Sequence, residues 1–502
     1  EATSLRTNGK SDGSINMDPA GERGSDEITM VLTGALPLAL KPDAKSIAVI
    51  GIGTGLTMHT VLESLDVERV ETIEIEPAMA EGARGFAPRN SGAFADPRGR
   101  IVFDDAKSFF STHGRRYDIV ISEPSNPWVS GVSSLFTREF YRRVRPHLNP
   151  GGLLVQWFQL YEIDAALVST VLGALGAEFP HYAIYAASDS DFLILASDAP
   201  LPARAQARVF EQPGLAKELW TIHVLTVGDL DARYVGNRAT LEPLFASYGL
   251  PANSDYYPVL DLNAARERFM DKSGAELAAL GSLGVPVLEL LEPSRPGRPP
   301  NPLFQGASDF ARLDHTRLAW YARNFLLDAA ATEAEPAITR ALQKDLELFK
   351  LRLFECREPR EHDVWLHSAL RVAQTVNPYL PPEDAVGIWR RVRASRCFSD
   401  LYDFQRAWMA LFDAVAARDV QRMAGLATAL LDSQKDAGNE AREYLLEVAM
   451  AADIAAGRRE DALKAWQAHG ERERRKGEAV FRLLRCHARP QDCAREFAQA
   501  AR

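Results

Sequence analysis

Short apolar runs alternate with stretches of helical apolar spacing through residues 1–200. Runs of strand length and branched composition fall at 46–51, 69–75, 100–103, 117–122 and 151–158. Around them, apolar residues recur at the 3.6-residue period over 55–65, 77–86, 105–112, 135–148 and 163–178. The alternation predicts a parallel sheet with helices on both faces, because a strand buried on both sides reads as an unbroken apolar run. Two more runs, 181–187 and 191–197, flank the turn Ser188-Asp189-Ser190-Asp191 and predict an antiparallel hairpin, making seven strands. Ahead of the sheet, residues 1–45 predict a hairpin turning at Asn8-Gly9 and a helix over 26–40. Ligands of such sheets bind beyond the carboxyl ends of the strands.

The pattern changes further along. Residues 201–290 are mixed and read as an extension of the sheet domain. The stretch 291–302 holds five prolines and no periodicity, which predicts a linker. Everything in 303–502 then reads helical. The segment AVAARDVQRMAGLATALL (414–431) resembles IAAGRREDALKAWQAHG (454–470) at an offset of about 39 residues, in the manner of tetratricopeptide-like helical pairs. The fold class expected is therefore α/β followed by an all-α helical-repeat domain, and such arrays bind protein partners or brace a neighbouring domain.

Composition narrows the function. The net charge of −10, with no basic stripe, argues against nucleic acid and against an anionic membrane surface as partners. No apolar run reaches the roughly 18 residues of a spanning helix. The chain starts at Glu1 and carries no secretory signal, and we expect a longer natural protein whose beginning precedes Glu1. Four cysteines among 502 residues are too few for a disulfide scaffold and have no zinc spacing, so reduced thiols and no metal are expected.

Gly51-Ile52-Gly53-Thr54-Gly55 directly follows the first strand of the sheet and opens a helix, a place where glycine lets the backbone approach a ligand. Glu74 ends the next strand, about 20 residues on, where a carboxylate can accept both hydroxyls of a ribose. Asp105 follows the third strand, within reach of an adenine amino group; Asp104 and Asp105 also suit helix caps, and Glu76 before Pro77 reads as one. Glycine turn and two acids on successive strand ends suit an adenosine. The spacing GxGxG and the closing hairpin favour a Rossmann-like sheet of the S-adenosylmethionine type over a dinucleotide fold.

After the run YDIVI comes SEPSNPW (122–128), which puts Glu123, Asn126 and Trp128 on a proline-stiffened loop at the end of a core strand. An amine that attacks the carbon beside a sulfonium must give up a proton, and a carboxylate there can take it. Glu123 suits that role, with Asn126 orienting the amine; Trp128 suits either stacking on a ligand or pinning the loop.

The runs LRTNGK, LPLALKP, VIGIGTG, VETIEIEPAMAEGAR, FDDAKSFF, YDIVISEPSNPW, SLFTREFY and NPGGLLVQW together resemble the spermidine synthase (polyamine aminopropyltransferase) family, most of all its bacterial branch joined to a membrane-embedded segment. The resemblance implies that Gly51, Gly53, Thr54 and Gly55 form the cofactor turn, that Glu74 takes the ribose and Asp105 the adenine, that Glu123 accepts the proton, and that Gln156 stands near the acceptor amine. The cofactor implied is S-adenosylmethionine or its decarboxylated form. Four positions depart from the family pattern, two of them Thr29 and Met30, which replace a Tyr-Gln pair before the Leu-Pro run. The aspartate of the glycine turn, which holds the ammonium of the three-carbon arm, is Thr54. The second acid of the proline loop is Asn126. Thr54 removes a negative charge that would repel a carboxylate, so S-adenosylmethionine itself is expected as the preferred cofactor. The expected reaction transfers or cleaves the three-carbon arm and releases methylthioadenosine, with a small amine or the cofactor's own amino group as acceptor, and differs from ordinary putrescine aminopropyl transfer. Two other readings compete: N-methyl transfer, and a non-catalytic nucleoside-binding scaffold. The site is expected on the cytoplasmic side, at the inner face of a bacterial membrane if a spanning segment precedes the chain.

Overall fold

The computed structural model describes residues 2–7, 10–129, 131–295, 310–327, 340–433, 438–470, 478–491, 493 and 497. The chain divides into two compact units, Glu1–Ala279 with Leu303–Ala311, and Leu280–Pro302 with Arg312–Arg502. The division falls at 279 rather than inside the proline-rich stretch expected as a linker, whose residues 296–302 lie outside the described set.

The first unit opens with a hairpin of β1 (Ala2–Thr7) and β2 (Lys10–Asn16) and the helix α1 (Ser25–Leu40). The sheet contains β3 (Ser46–Ile50), β4 (Arg69–Glu74), β5 (Gly99–Phe103), β6 (Tyr117–Ser122), β7 (Leu148–Gln159), β8 (His181–Ser188), β9 (Asp191–Ser197) and β10 (Tyr234–Asn237). Their order is β10-β8-β9-β7-β6-β3-β4-β5. From β7 to β5 every pairing is parallel, while β9, β8 and β10 run antiparallel. The connecting helices are α2 (Leu56–Leu62), α3 (Pro77–Ala83), the short α4 (Gly92–Ala95), α5 (Ala106–Thr112), α6 (Arg138–Val144) and α7 (Ala165–Glu178).

Seven strands were expected and eight are present. The eighth, β10, comes from the mixed extension, where four residues give too short a pattern for sequence reasoning to find. The two central strands β3 and β6 read SIAVI and YDIVIS because both faces are covered. Helix α1 is apolar nearly all round, and every residue from Glu27 to Leu40 is buried. It packs on β7, β8, β9 and α2, which fixes its first turn beside the carboxyl ends of the strands.

The second unit is helical, with described helices from Ala311–Leu327 through Glu478–Ala488. Helices Asp403–Ala416 and Val420–Ser433 form one antiparallel pair, Asn439–Ala455 and Arg459–His469 the next. Each pair turns through a residue in the left-handed region, Arg418 at φ 56° and Gly457 at φ 79°, at the same offset as the internal sequence match.

The cysteine expectation is corrected here. Cys356 pairs with Cys397 at a Cα–Cα distance of 4.9 Å, and Cys486 pairs with Cys493. The first bridge closes a 41-residue separation, a loop for which chain entropy alone gives about 4 kcal/mol of stabilisation. Thiol titration of the denatured, non-reduced protein should find no free thiol, and four after reduction. Four free thiols before reduction would contradict the pairing.

Candidate active site

The carboxyl ends of the sheet open into a cavity of about 900 Å³. Its construction begins at Gly51. This residue has φ 88°, and a Cβ on it would lie 2.6 Å from the carbonyl oxygen of Glu123. Only glycine satisfies both conditions, and its absence of a side chain lets the end of β3 lie against the end of β6. Backbone bonds tie the end of β3 to both neighbours, with Glu123 N donating to Ile50 O at 3.1 Å on the β6 side and Gly51 N to Ile73 O at 2.9 Å on the β4 side.

Glu74 ends β4, opposite Phe103 of β5. Its carboxylate accepts from Ile52 N at 3.0 Å and from Glu76 N at 2.8 Å, which holds it rigidly against the glycine turn. Asp105 is the N-cap of α5 and accepts from Ser108 N at 2.9 Å; Asp104 accepts from Asp105 N. Glu76 caps α3. Gly51, Gly53, Glu74 and Asp105 all line the cavity.

Glu123 stands in the middle of the sheet order, half-buried at the cavity wall. Thr57 of α2 donates to its Oε2 at 2.6 Å. Desolvation pushes its carboxyl up to about 7, with the charges of Asp191 and Asp26 adding to the rise and the Thr57 hydrogen bond opposing it. A carboxylate that titrates near neutrality is suited to accept a proton in reaction and to release it afterwards.

Four of the expected site residues take other places. Thr54 is fully buried, and its hydroxyl donates to Met30 Sδ at 3.0 Å, beneath the hairpin residue Gly13. It does not line the cavity, so the role of admitting a cofactor carboxylate is corrected: the left-handed turn between Gly53 and Gly55 aims the side chain into the protein. Gly55 is the N-cap of α2 and packs against Asn90 and Ala93, also away from the cavity. Asn126 is buried and donates to the Tyr161 hydroxyl at 3.0 Å. Gln156 lies under the end of β6, where it accepts from Tyr141 and donates to the backbone of Ser122 and Trp157. Neither Asn126 nor Gln156 is among the residues that line the cavity. Trp128 pins its loop, edge-on to Tyr161 at 6.2 Å with the Arg268 guanidinium 5.2 Å over its ring.

The sequence reading missed three acids of the same cavity. Asp12 comes from β2, Asp26 from α1 and Asp191 from the start of β9. With Glu74, Glu76, Asp104, Asp105 and Glu123 they make eight carboxylates, and no Lys, Arg or His is among the described lining residues. The one available signal was Asp191, the acid directly ahead of the apolar run FLILA.

Fold and site together define a Rossmann-like domain with an acidic cavity at the carboxyl ends of its parallel strands. Residues 29–188 match the family model of the spermine/spermidine synthase domain. Polyamine aminopropyltransferase 1 of Pseudomonas aeruginosa is 36% identical over 141 residues, which cover 27% of this chain and 49% of the relative. The polyamine aminopropyltransferase of Pseudomonas syringae pv. tomato is 31% identical over 154 residues, 30% of this chain and 54% of the relative. The chain thus spans about half the length of these curated relatives. The crystal structure of spermidine synthase from Thermotoga maritima aligns at 23% identity and a TM-score of 0.31, over 35% of this chain and 60% of that one.

Proposed function

We propose that the first unit transfers the three-carbon arm of a sulfonium nucleoside to an amine and releases methylthioadenosine. The observation that carries this reading is the charge of the cavity, eight carboxylates with no basic side chain among the described lining residues. Such a cavity favours a cationic acceptor and a cationic arm, and it disfavours any ligand bearing a carboxylate. We therefore reverse the expectation drawn from Thr54 and assign decarboxylated S-adenosylmethionine as the donor. In this scheme Glu74 accepts from the ribose and Asp105 stands by the adenine. The acceptor nitrogen forms a bond to the methylene carbon beside sulfur. The carbon–sulfur bond breaks, its electron pair stays on sulfur, and the neutral thioether leaves. The proton lost by the nitrogen goes to Glu123 Oε1 or Oε2, and Thr57 holds the carboxylate in place meanwhile. The names of the curated relatives, polyamine aminopropyltransferases, support a polyamine-type acceptor.

The helical unit, with its successive antiparallel pairs, suits a protein partner. No helix among the described residues is long and apolar enough to cross a membrane. A cytoplasmic site agrees with where the donor is made, but two paired disulfides favour an oxidising compartment for the helical unit. The thiol titration above separates the two.

Product analysis tests the reaction. Incubation with decarboxylated S-adenosylmethionine and a diamine should yield methylthioadenosine and an elongated amine. S-adenosylhomocysteine from the undecarboxylated cofactor would establish methyl transfer instead, and neither product would leave a nucleoside-binding scaffold.

A further inference from the structure

Thr57 is the second residue of α2 and is buried where that helix packs on α1. Its Oγ1 lies 2.6 Å from Glu123 Oε2 and 3.2 Å from the carbonyl oxygen of Met30, inside α1. A hydroxyl has one proton, so it donates fully to one of these acceptors at a time. The distances decide which. A hydroxyl–carboxylate bond runs to about 2.5–2.7 Å, whereas 3.2 Å is long for a hydroxyl donor. With Glu123 ionised, the proton therefore lies on the Glu123 side. Met30 O is the acceptor in reserve. Its place inside α1 gives it a helical bond as well, so it is satisfied in either case.

The rest of the surroundings push the other way. Asp191 of β9 and Asp26 of α1 face Glu123 with like charge. Asp12 of β2 and Glu74 of β4 line the same cavity, and no Lys, Arg or His is among its described lining residues. The Thr57 hydrogen bond opposes burial and these charges by favouring the ionised form. Among the described residues no other hydrogen bond reaches the carboxylate, so Thr57 occupies Oε2 and leaves Oε1 for the cavity. Once Oε1 is protonated the carboxyl is a weaker acceptor, and the hydroxyl can turn to Met30 O without leaving a buried donor unpaired.

We propose that Thr57 is a positioning residue for the proton transfer, whose hydroxyl proton points to Glu123 Oε2 while the carboxylate is ionised and swings to Met30 O once Oε1 has taken the proton of the acceptor amine. This rests on Glu123 as the base of the proposed reaction. The nitrogen–hydrogen bond breaks with its electron pair left on nitrogen, the proton bonds to Oε1, and the Thr57 proton stays on its own oxygen throughout. Infrared titration of the full chain reads the Glu123 carboxyl directly, as the signal lost in Glu123→Gln. The pH profile of methylthioadenosine release reads it in turnover. Thr57→Val keeps the shape and removes the donor. It should move both midpoints up by ~1–2 pH units, the scale of one hydrogen bond to a charged group, and leave KM for the nucleoside donor unchanged. Thr57→Ala adds no bulk and should give the same shift. Thr57→Ser restores the hydroxyl and should titrate close to the wild type. Unmoved midpoints in Thr57→Val and Thr57→Ala, or a Thr57→Ser shift as large as theirs, would overturn the proposal. A carboxyl midpoint that moves without any methylthioadenosine release would sink the reaction and spare the Thr57 contact. Release with a pH limb that ignores Thr57 would do the reverse.

Discussion

Replacing Glu123 by glutamine should slow methylthioadenosine release by roughly 10²–10⁴, the range that a general base contributes, while nucleoside affinity stays close to that of the wild type. Glutamine keeps the shape and the acceptor for Thr57 but takes no proton. In the wild type the base form is the active form, so the rate should rise with pH through about 7, where desolvation places the Glu123 carboxyl. That limb of the profile should vanish in the variant. Stability should move the other way. The folded protein holds the Glu123 proton up to about 7, whereas an unfolded glutamate releases it near its ordinary value of 4.5. Between those values the unfolded chain binds fewer protons, so the wild type loses stability as pH rises across the window. Above pH 7 the glutamine variant should be more stable by about 3 kcal/mol, and the gap should close as pH falls towards 4.5. Urea midpoints of both proteins at the two ends of the window read this directly. Equal midpoints at alkaline pH together with an unchanged rate would remove Glu123 from the chemistry.

The part of the site legible in the sequence is the part built locally. Glu123 was legible because the apolar run before it is buried on both faces and the prolines after it end the strand, so its position at a strand end follows from short-range pattern. Glu74 and the glycine turn were legible for the same reason. Asp191 was not, because what gives it meaning is α1, whose Thr29 lies 162 residues away. Asp12 and Asp26 likewise reach the cavity only through the packing of the hairpin and α1. Thr54 shows the opposite failure. Its place in the turn was plain, but the direction of its side chain is decided by three positive-φ glycines and by Met30, which no spacing encodes. The cysteine pairing was hidden because connectivity does not follow from spacing, and β10 because four residues carry no period.

The charge of the cavity is the central claim, and donor discrimination tests it most directly. The two sulfonium donors differ by one carboxylate, so any preference reports the sign of the field around the three-carbon arm. A carboxylate placed about 4 Å from a carboxylate of the wall is repelled by about 1–4 kcal/mol for effective dielectrics between 80 and 20, a factor of roughly 5 to 10³ in rate at equal concentrations. With a diamine as acceptor, kcat/KM for methylthioadenosine release should favour decarboxylated S-adenosylmethionine by a ratio in that range, and added salt should reduce the ratio. Equal use of the two donors, or a preference for S-adenosylmethionine, would contradict the account.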